Sequence, residues 1–405
     1  MEPQRVESAH QEQETAKAGS FAEMEDFLPN LSYRFLQCNI KDGLTSYLGR
    51  ANPFAHPFNP KTDALWLFDN TAHRRADAPH FWQAEFVAAY FLKESGKDLE
   101  DAVAKVAEKL GIAKGDEAEE TIRNRIRPFV DSILPARIVH VTVDIPDGHE
   151  VKLGSSDSSG ISTNVIRIPG WEHRKDGECI RTVASTGAES PEMSMTTIHA
   201  EPEGWGIISD IDDTIKTTLT PSPIGILKTT FATPVAHPID GMPDFYKHIN
   251  GKLNPTWFYL SASPYNLYPF LRDFRSQHYP QGTIMLRNAS WMTLSGLLSS
   301  LTQGTQEYKT SQMDKIHGFL PKRKWICVGD STQTDPESYG EIYRKYPNWV
   351  HKIFIRKVTD VAEMNETDKN EDSRFTKAFE GVPNDIWQTF DQPEELYAAV
   401  DALTK

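Results

Sequence analysis

Trp205-Gly206-Ile207-Ile208-Ser209-Asp210-Ile211-Asp212-Asp213-Thr214-Ile215-Lys216 is the stretch on which the reading of this chain turns. A short apolar run, suited to a buried strand, passes directly into three carboxylates within four positions. Packing alone does not select that transition. In an open α/β sheet the carboxyl ends of parallel strands border the ligand crevice, so Asp210 and Asp212, two residues apart, are both expected to face it. The competing reading is a helix amino terminus, where Asp and Thr cap orphan N–H groups. The rest of the chain decides between them.

From Gly206 to Thr389 apolar strands alternate with helical stretches, the pattern of an open parallel sheet. Two further strands there end as the first does. Thr256 to Leu260 (TWFYL) closes on Ser261, followed by Ala262-Ser263-Pro264, which puts a small hydroxyl at a strand's carboxyl edge. Lys324 to Val328 (KWICV) closes on Gly329-Asp330-Ser331-Thr332-Gln333-Thr334-Asp335, a glycine turn with two carboxylates five positions apart. Between the two, Lys309 opens a helical run to Leu320. Singly, a strand-end serine is a turn residue and a lysine a solvated charge. Jointly they gather four or five carboxylates in one crevice, which cannot stay ionised together at neutral pH without a cation. Oxygen-only ligands suit magnesium, so a magnesium phosphoryl-transfer site is expected.

Outward from this region the chain divides by period. Ala64 to Phe68 predicts a short strand, and Phe81 to Leu92 and Leu99 to Leu110 carry apolar residues at three- and four-residue steps, which predicts helices. Ile122, Ile126, Phe129 and Ile133 continue that pattern until Pro135. The period then switches to two at Ile138 to Val143 and in later runs to Ala200. The expected division is a disordered, acidic tail over 1–28, a mainly helical region over 29–135, a β-rich module over 136–203 and an α/β catalytic domain over 204–400. With 405 residues, 39% of them hydrophobic, the chain is long and apolar enough for several cores, so wholesale disorder is excluded. A net charge of −14 argues against nucleic acid as a partner. The longest apolar run, Phe86 to Leu92, falls well short of a membrane span, and Cys38, Cys179 and Cys327 have neither zinc-site nor disulfide-framework spacing. The seven acidic side chains of the first 26 residues fit neither a secretory signal nor a transit peptide, so a cytoplasmic location is expected.

DIDDT, the strand-end serine, the lysine and GDSTQTD resemble, in that order, the four motifs of the haloacid dehalogenase superfamily. More narrowly, WGIISDIDDTIK, FYLSASPYNLYPFL, ICVGDSTQTDPESYGEIY and HKIFIRKV resemble the fungal actin-patch-protein type of Mg²⁺-dependent phosphatidate phosphatase, which is similar to lipins in its catalytic motif. ALWLFDNTA and the β-rich module look like that family too, whereas Arg287-Asn288 stands where relatives carry Lys-Asp. The resemblance implies a haloacid-dehalogenase-like Rossmannoid sheet and hydrolysis of phosphatidate through an aspartyl-phosphate. Asp210 would be the nucleophile and Asp212 the acid and base. Ser261 and Lys309 would bind the phosphoryl oxygens. Mg²⁺ would be held by Asp210, Asp212 through its backbone carbonyl and Asp330, with Asp335 either among the ligands or directly behind them. It also implies peripheral contact with membrane phospholipid and a place at cortical actin patches among actin-cortex or endocytic proteins. Competing readings are a receiver-type phosphoaspartate site, which the DxDxT spacing fits poorly, the same chemistry on a lysophospholipid, phosphoprotein or soluble ester, and an actin-cortex adaptor with secondary catalysis. No PxxP array supports the adaptor. For the lipid-facing rim the candidates are Lys216 and Lys228, from the segment after the catalytic strand, and Trp291 and Leu294, from the uncharged run Ser290 to Leu301; the alternative is that these helical faces pack on the core.

Overall fold

The computed structural model describes residues 52–404 except 75–77, 97, 114, 146–147, 187–189, 288–300, 302, 360 and 362. Cys38, the segment 1–28, Trp291 and Leu294 therefore lie outside the described residues. Strand pairing divides the chain near residue 204. Before it come β1 (His56–Pro57), β2 (Asp63–Leu67), β3 (Asn70–Arg74), β4 (Trp82–Leu92), helices α1 (Leu99–Lys109) and α2 (Glu117–Val130), then β5 (Arg137–Val143), β6 (His149–Leu153), β7 (Ile161–Arg167), β8 (Cys179–Ala184) and β9 (Ser194–Ala200). These strands form one nine-stranded sheet, with order β1-β5-β8-β9-β3-β4-β2 and with β6 on β5 and β7 on β4.

Two expectations are corrected here. The mainly helical region over 29–135 is not helical at Phe81 to Leu92: β4 is an eleven-residue strand. Trp82, Ala84, Phe86 and Ala88 are buried while Gln83, Glu85 and Val87 are half-buried, a period of two. At Ala88 to Phe91 both faces are buried, so the alternation vanishes and the apolar spacing imitates a helix. Nor do the described residues 52–135 stand apart from 136–203. Parallel pairing of β3 with β9, Asn70 opposite Thr197, and antiparallel pairing of β4 with β7 join them into one sheet.

After residue 204 come β10 (Trp205–Asp210), α3 (Pro223–Leu227) with a π turn at Lys228–Ala232, α4 (Met242–Leu253), β11 (Thr256–Pro264), α5 (Tyr268–His278), β12 (Thr283–Arg287), α6 (Thr305–Phe319), β13 (Lys324–Asp330), α7 (Asp335–Lys345), β14 (Val350–Arg356), α8 (Glu366–Lys369), α9 (Asp372–Ala378), β15 (Trp387–Phe390) and α10 (Tyr397–Ala402). All five strand pairings are parallel, in the order β12-β11-β10-β13-β14-β15. Counted from β10 this is 3-2-1-4-5-6, a doubly wound sheet whose order reverses between β10 and β13. Those two strands pack closely because Gly206 has no side chain: a Cβ there would overlap the Trp325 ring.

A single apolar core runs across the division, taking in Trp66, Phe91, Val103 and Ile126 from the first part and Phe231, Trp257, Tyr268 and Leu271 from the second. Its polar pin is Asp69. The Asp69 carboxylate, buried to 2% exposure, accepts from Arg272 (3.0 Å), Arg275 (2.9 Å), Gln281 (3.1 Å) and the Thr196 N–H (2.8 Å), while the Asp69 N–H donates to Tyr268 Oη (2.6 Å). Asp69→Ala leaves Arg275, itself 3% exposed, buried without its counter-charge. Loss of one partner of a buried pair costs ~3–5 kcal/mol, so the urea midpoint of this variant is expected to fall by that equivalent, and an unchanged midpoint would show that the pin is dispensable.

Candidate active site

Two strand ends and two helices build the site. β10 ends on Asp210, β13 ends on Asp330, α7 begins with Asp335, and α6 presents Lys309 from its first turns. Carboxylate oxygens of Asp210, Asp330 and Asp335 all lie within 4.8 Å of one another, and each residue is at most 1% exposed. The Lys309 ammonium, fully buried, lies 2.7 Å from Asp210 Oδ1 and is also paired with Asp335 Oδ1. Thr214 Oγ1 stands between two of the acids, 3.2 Å from Asp210 Oδ2 and 3.0 Å from Asp330 Oδ2.

Charge is unbalanced in this cluster. Burial drives the Asp210 carboxyl well above its ordinary pKa, with Lys309 opposing and Asp335, Asp330 and Asp212 reinforcing the rise. Burial raises Asp330 as well, and Asp335 adds to it. Burial pulls on Lys309 in the other direction, but Asp210, Asp335 and Asp330 outweigh it and hold the ammonium above its usual value. The common origin is three carboxylates sharing one ammonium in a place closed to water.

The loop between β13 and α7 is held from several sides. Asp330 Oδ1 accepts from the Thr332 N–H at 2.6 Å, and Asp335 Oδ2 accepts from the Asp330 N–H at 3.0 Å. Arg374 on α9 pairs with Glu337 (2.9 Å) and donates to the carbonyls of Ser331 (2.6 Å) and Gln333 (2.5 Å). Asp335 can lie against the β13 backbone because position 329 is glycine.

Asp212 belongs to a second, adjoining cluster. Its Oδ2 accepts from Ser261 Oγ (2.5 Å) and Ser263 Oγ (3.4 Å), and its Oδ1 from Thr218 Oγ1 (2.7 Å), with Lys216 Nζ 3.6 Å away. Of the expected residues, Asp210, Lys309, Asp330 and Asp335 thus come together directly, while the Asp212 side chain and Ser261 meet each other one step aside. The Asp212 side chain is not part of the carboxylate trio. Lys216 is a correction: it is 1% exposed, its ammonium donates to Thr218 Oγ1 at 2.6 Å, and it cannot face a lipid rim. Lys228 is exposed as expected. Thr214 does not cap a helix but bridges two acids. Its signal was its place in DIDDT, four residues after Asp210.

An oxygen-rich, cation-seeking cluster at the switch point of a parallel α/β sheet defines the class. Within it, residues 205–357 match the family model described as the catalytic domain of phosphatidate phosphatase APP1, and the resemblance read from the motifs holds over this segment. The chain is 27% identical over 295 residues to phosphatidate phosphatase APP1 of Saccharomyces cerevisiae, covering 69% of this chain and 49% of that protein. It is 31% identical over 159 residues to an uncharacterized protein of Schizosaccharomyces pombe, covering 38% of this chain and 25% of that one. The chain thus spans about half the length of the first relative and a quarter of the second.

A methyl group at position 329 would overlap the Asp335 carboxylate. Gly329→Ala is therefore expected to cost ~1–3 kcal/mol as Asp335 is pushed from its bond to the Asp330 N–H, read as a lowered thermal midpoint; wild-type stability would mean that the loop yields freely.

Proposed function

We propose that the chain is a Mg²⁺-dependent phosphatidate phosphatase, releasing diacylglycerol and phosphate, and that residues 204–400 form a haloacid-dehalogenase-like catalytic domain. The observation that carries this reading is the buried trio Asp210, Asp330 and Asp335 around the Lys309 ammonium. The 3-2-1-4-5-6 sheet supports the domain assignment, and the match to a phosphatidate phosphatase catalytic domain supports the substrate. The trio exceeds its one ammonium by two negative charges if all three acids are ionised, and its donors are all oxygen, which fits Mg²⁺. Asp210, Asp330 and Asp335 would hold the ion, with the Asp212 backbone carbonyl beside them. When bound, it supplies positive charge that neutralises phosphoryl oxygens.

The residues divide the work as follows. A carboxylate oxygen of Asp210 attacks phosphorus, the bond from phosphorus to the diacylglycerol oxygen breaks, and an aspartyl-phosphate forms. Asp212 gives its proton to the leaving oxygen. It then takes a proton from water as that water attacks phosphorus and the bond to Asp210 breaks, restoring both acids. Lys309 offsets charge on the phosphoryl oxygens as it develops. Ser261, whose hydroxyl bonds Asp212 at 2.5 Å, turns to a phosphoryl oxygen when substrate enters.

Substrate held in a bilayer calls for peripheral contact with phospholipid. Ile224 is 46% exposed on α3 and Lys228 is exposed one turn later, an apolar and cationic pair on one helical face. Ile226, Leu227 and Phe231 of the same segment are fully buried and anchor it.

Asp210→Asn is expected to abolish the phosphoenzyme and cut turnover on phosphatidate by roughly 10⁴-fold, while Asp212→Asn slows turnover yet leaves Mg²⁺ binding by calorimetry in place. EDTA should stop wild-type activity and Mg²⁺ restore it. Rescue by zinc alone, or near-native turnover by Asp210→Asn, would refute the assignment. Ile224→Ser combined with Lys228→Glu should weaken binding to anionic liposomes and activity on bilayer phosphatidate, with activity on a soluble phosphate ester retained. Equal loss on both substrates would return this face to the core.

A further inference from the structure

Asp213 follows directly on Asp212, yet its carboxylate is taken up by other partners. Its backbone is left-handed, φ 61°, and so is that of Leu219, φ 59°. Such a conformation is strained for a residue other than glycine, so something must hold the pair in place. Four holding contacts converge on one carboxylate. Asp213 Oδ1 accepts from the N–H groups of Thr218 (2.9 Å) and Leu219 (2.7 Å), and Oδ2 accepts from the Thr220 N–H (2.7 Å) and Thr220 Oγ1 (2.7 Å). Arg356, at the end of β14, donates to the Asp213 carbonyl at 2.9 Å and fixes the backbone from behind.

The loop so folded delivers two hydroxyls. Thr218 Oγ1 donates to Asp212 Oδ1 at 2.7 Å and accepts from Lys216 Nζ at 2.6 Å, while Ser261 holds the other oxygen of Asp212. Both oxygens are tethered before substrate enters, and when Ser261 turns to the phosphoryl group the Thr218 hydroxyl still holds Oδ1. On the other side Thr220 Oγ1 lies 3.0 Å from Thr332 Oγ1, whose own N–H bonds Asp330. From this geometry we infer that Asp213 is a positioning residue: it folds residues 218–220 around its carboxylate and, through the Thr218 hydroxyl, sets the orientation of Asp212. The inference rests on the phosphatase reading above, because only turnover gives the orientation of Asp212 a consequence.

Asp213→Gly separates strain from clamping, since glycine accepts φ 61° at no cost but removes all four acceptor contacts. Hydrogen exchange of the 218–220 amides is expected to quicken at least roughly tenfold in this variant, with kcat on both phosphatidate and 4-nitrophenyl phosphate falling at least as far. Thr218→Val keeps the Asp213 contacts to the backbone. It is expected to lower kcat roughly tenfold with KM and thermal midpoint near wild type, and Thr218→Ser, which restores the hydroxyl, to recover most of the loss. An active wild type whose Thr218→Val variant keeps full kcat, or whose Asp213→Gly variant exchanges no faster, overturns the positioning role alone. A wild-type chain that turns over neither substrate overturns the phosphatase reading beneath it.

Discussion

Three buried carboxylates on one buried ammonium are the constraint that the rest of this structure serves. An acid removed from water without a counter-charge is costly, and Lys309 can answer only part of the charge on Asp210, Asp330 and Asp335. The surroundings supply what the ammonium does not. Thr214 bridges two of the acids, backbone N–H groups of Asp330 and Thr332 meet the carboxylates of Asp335 and Asp330, and Arg374 keeps the donor loop in shape from outside. These groups come from widely separated points of the chain, so the cluster exists only once the parallel sheet has brought the ends of β10 and β13 side by side.

The neighbouring cluster obeys a different rule. Asp212 is surrounded by hydroxyls from Ser261, Ser263 and Thr218, with an ammonium just beyond. Two acids separated by a single residue therefore occupy unlike surroundings, one among like charges and one among neutral donors. Under the chemistry proposed above, in which one acid attacks and the other exchanges protons, that difference holds each side chain among groups suited to its own task.

Much of the site was legible in the sequence for one physical reason: an apolar run that passes straight into acids has no packing explanation, so Asp210 and Asp330 stood out at strand ends and Asp335 in the turn that follows. Ser261 and Lys309 stood out only in company. What the sequence hid was direction. Lys216 looks like any surface lysine, and nothing local tells that Thr218 folds back to meet its ammonium. Asp213 looks like one more acid of the same run, and the loop it gathers is visible only with φ 61° and four donors in hand. The parallel α/β order was readable from its alternation. The first sheet was not, since β3 and β9 pair across more than a hundred residues, and β4, buried on both faces at its end, lost the period that marks a strand.

The apolar core that crosses residue 204 sets a limit on where this chain can be cut. The stretch of family similarity, 205–357, ends before β15, the edge partner of β14, and begins after every residue of α1, α2 and the first sheet. Released as a fragment, it would expose Tyr268, Tyr265 and Phe231 where Phe68, Phe91 and Phe129 now pack on them, and would leave the β14 edge without a partner. The boundary of inherited chemistry and the boundary of autonomous folding are different lines in this molecule, and the second encloses far more of the chain than the first.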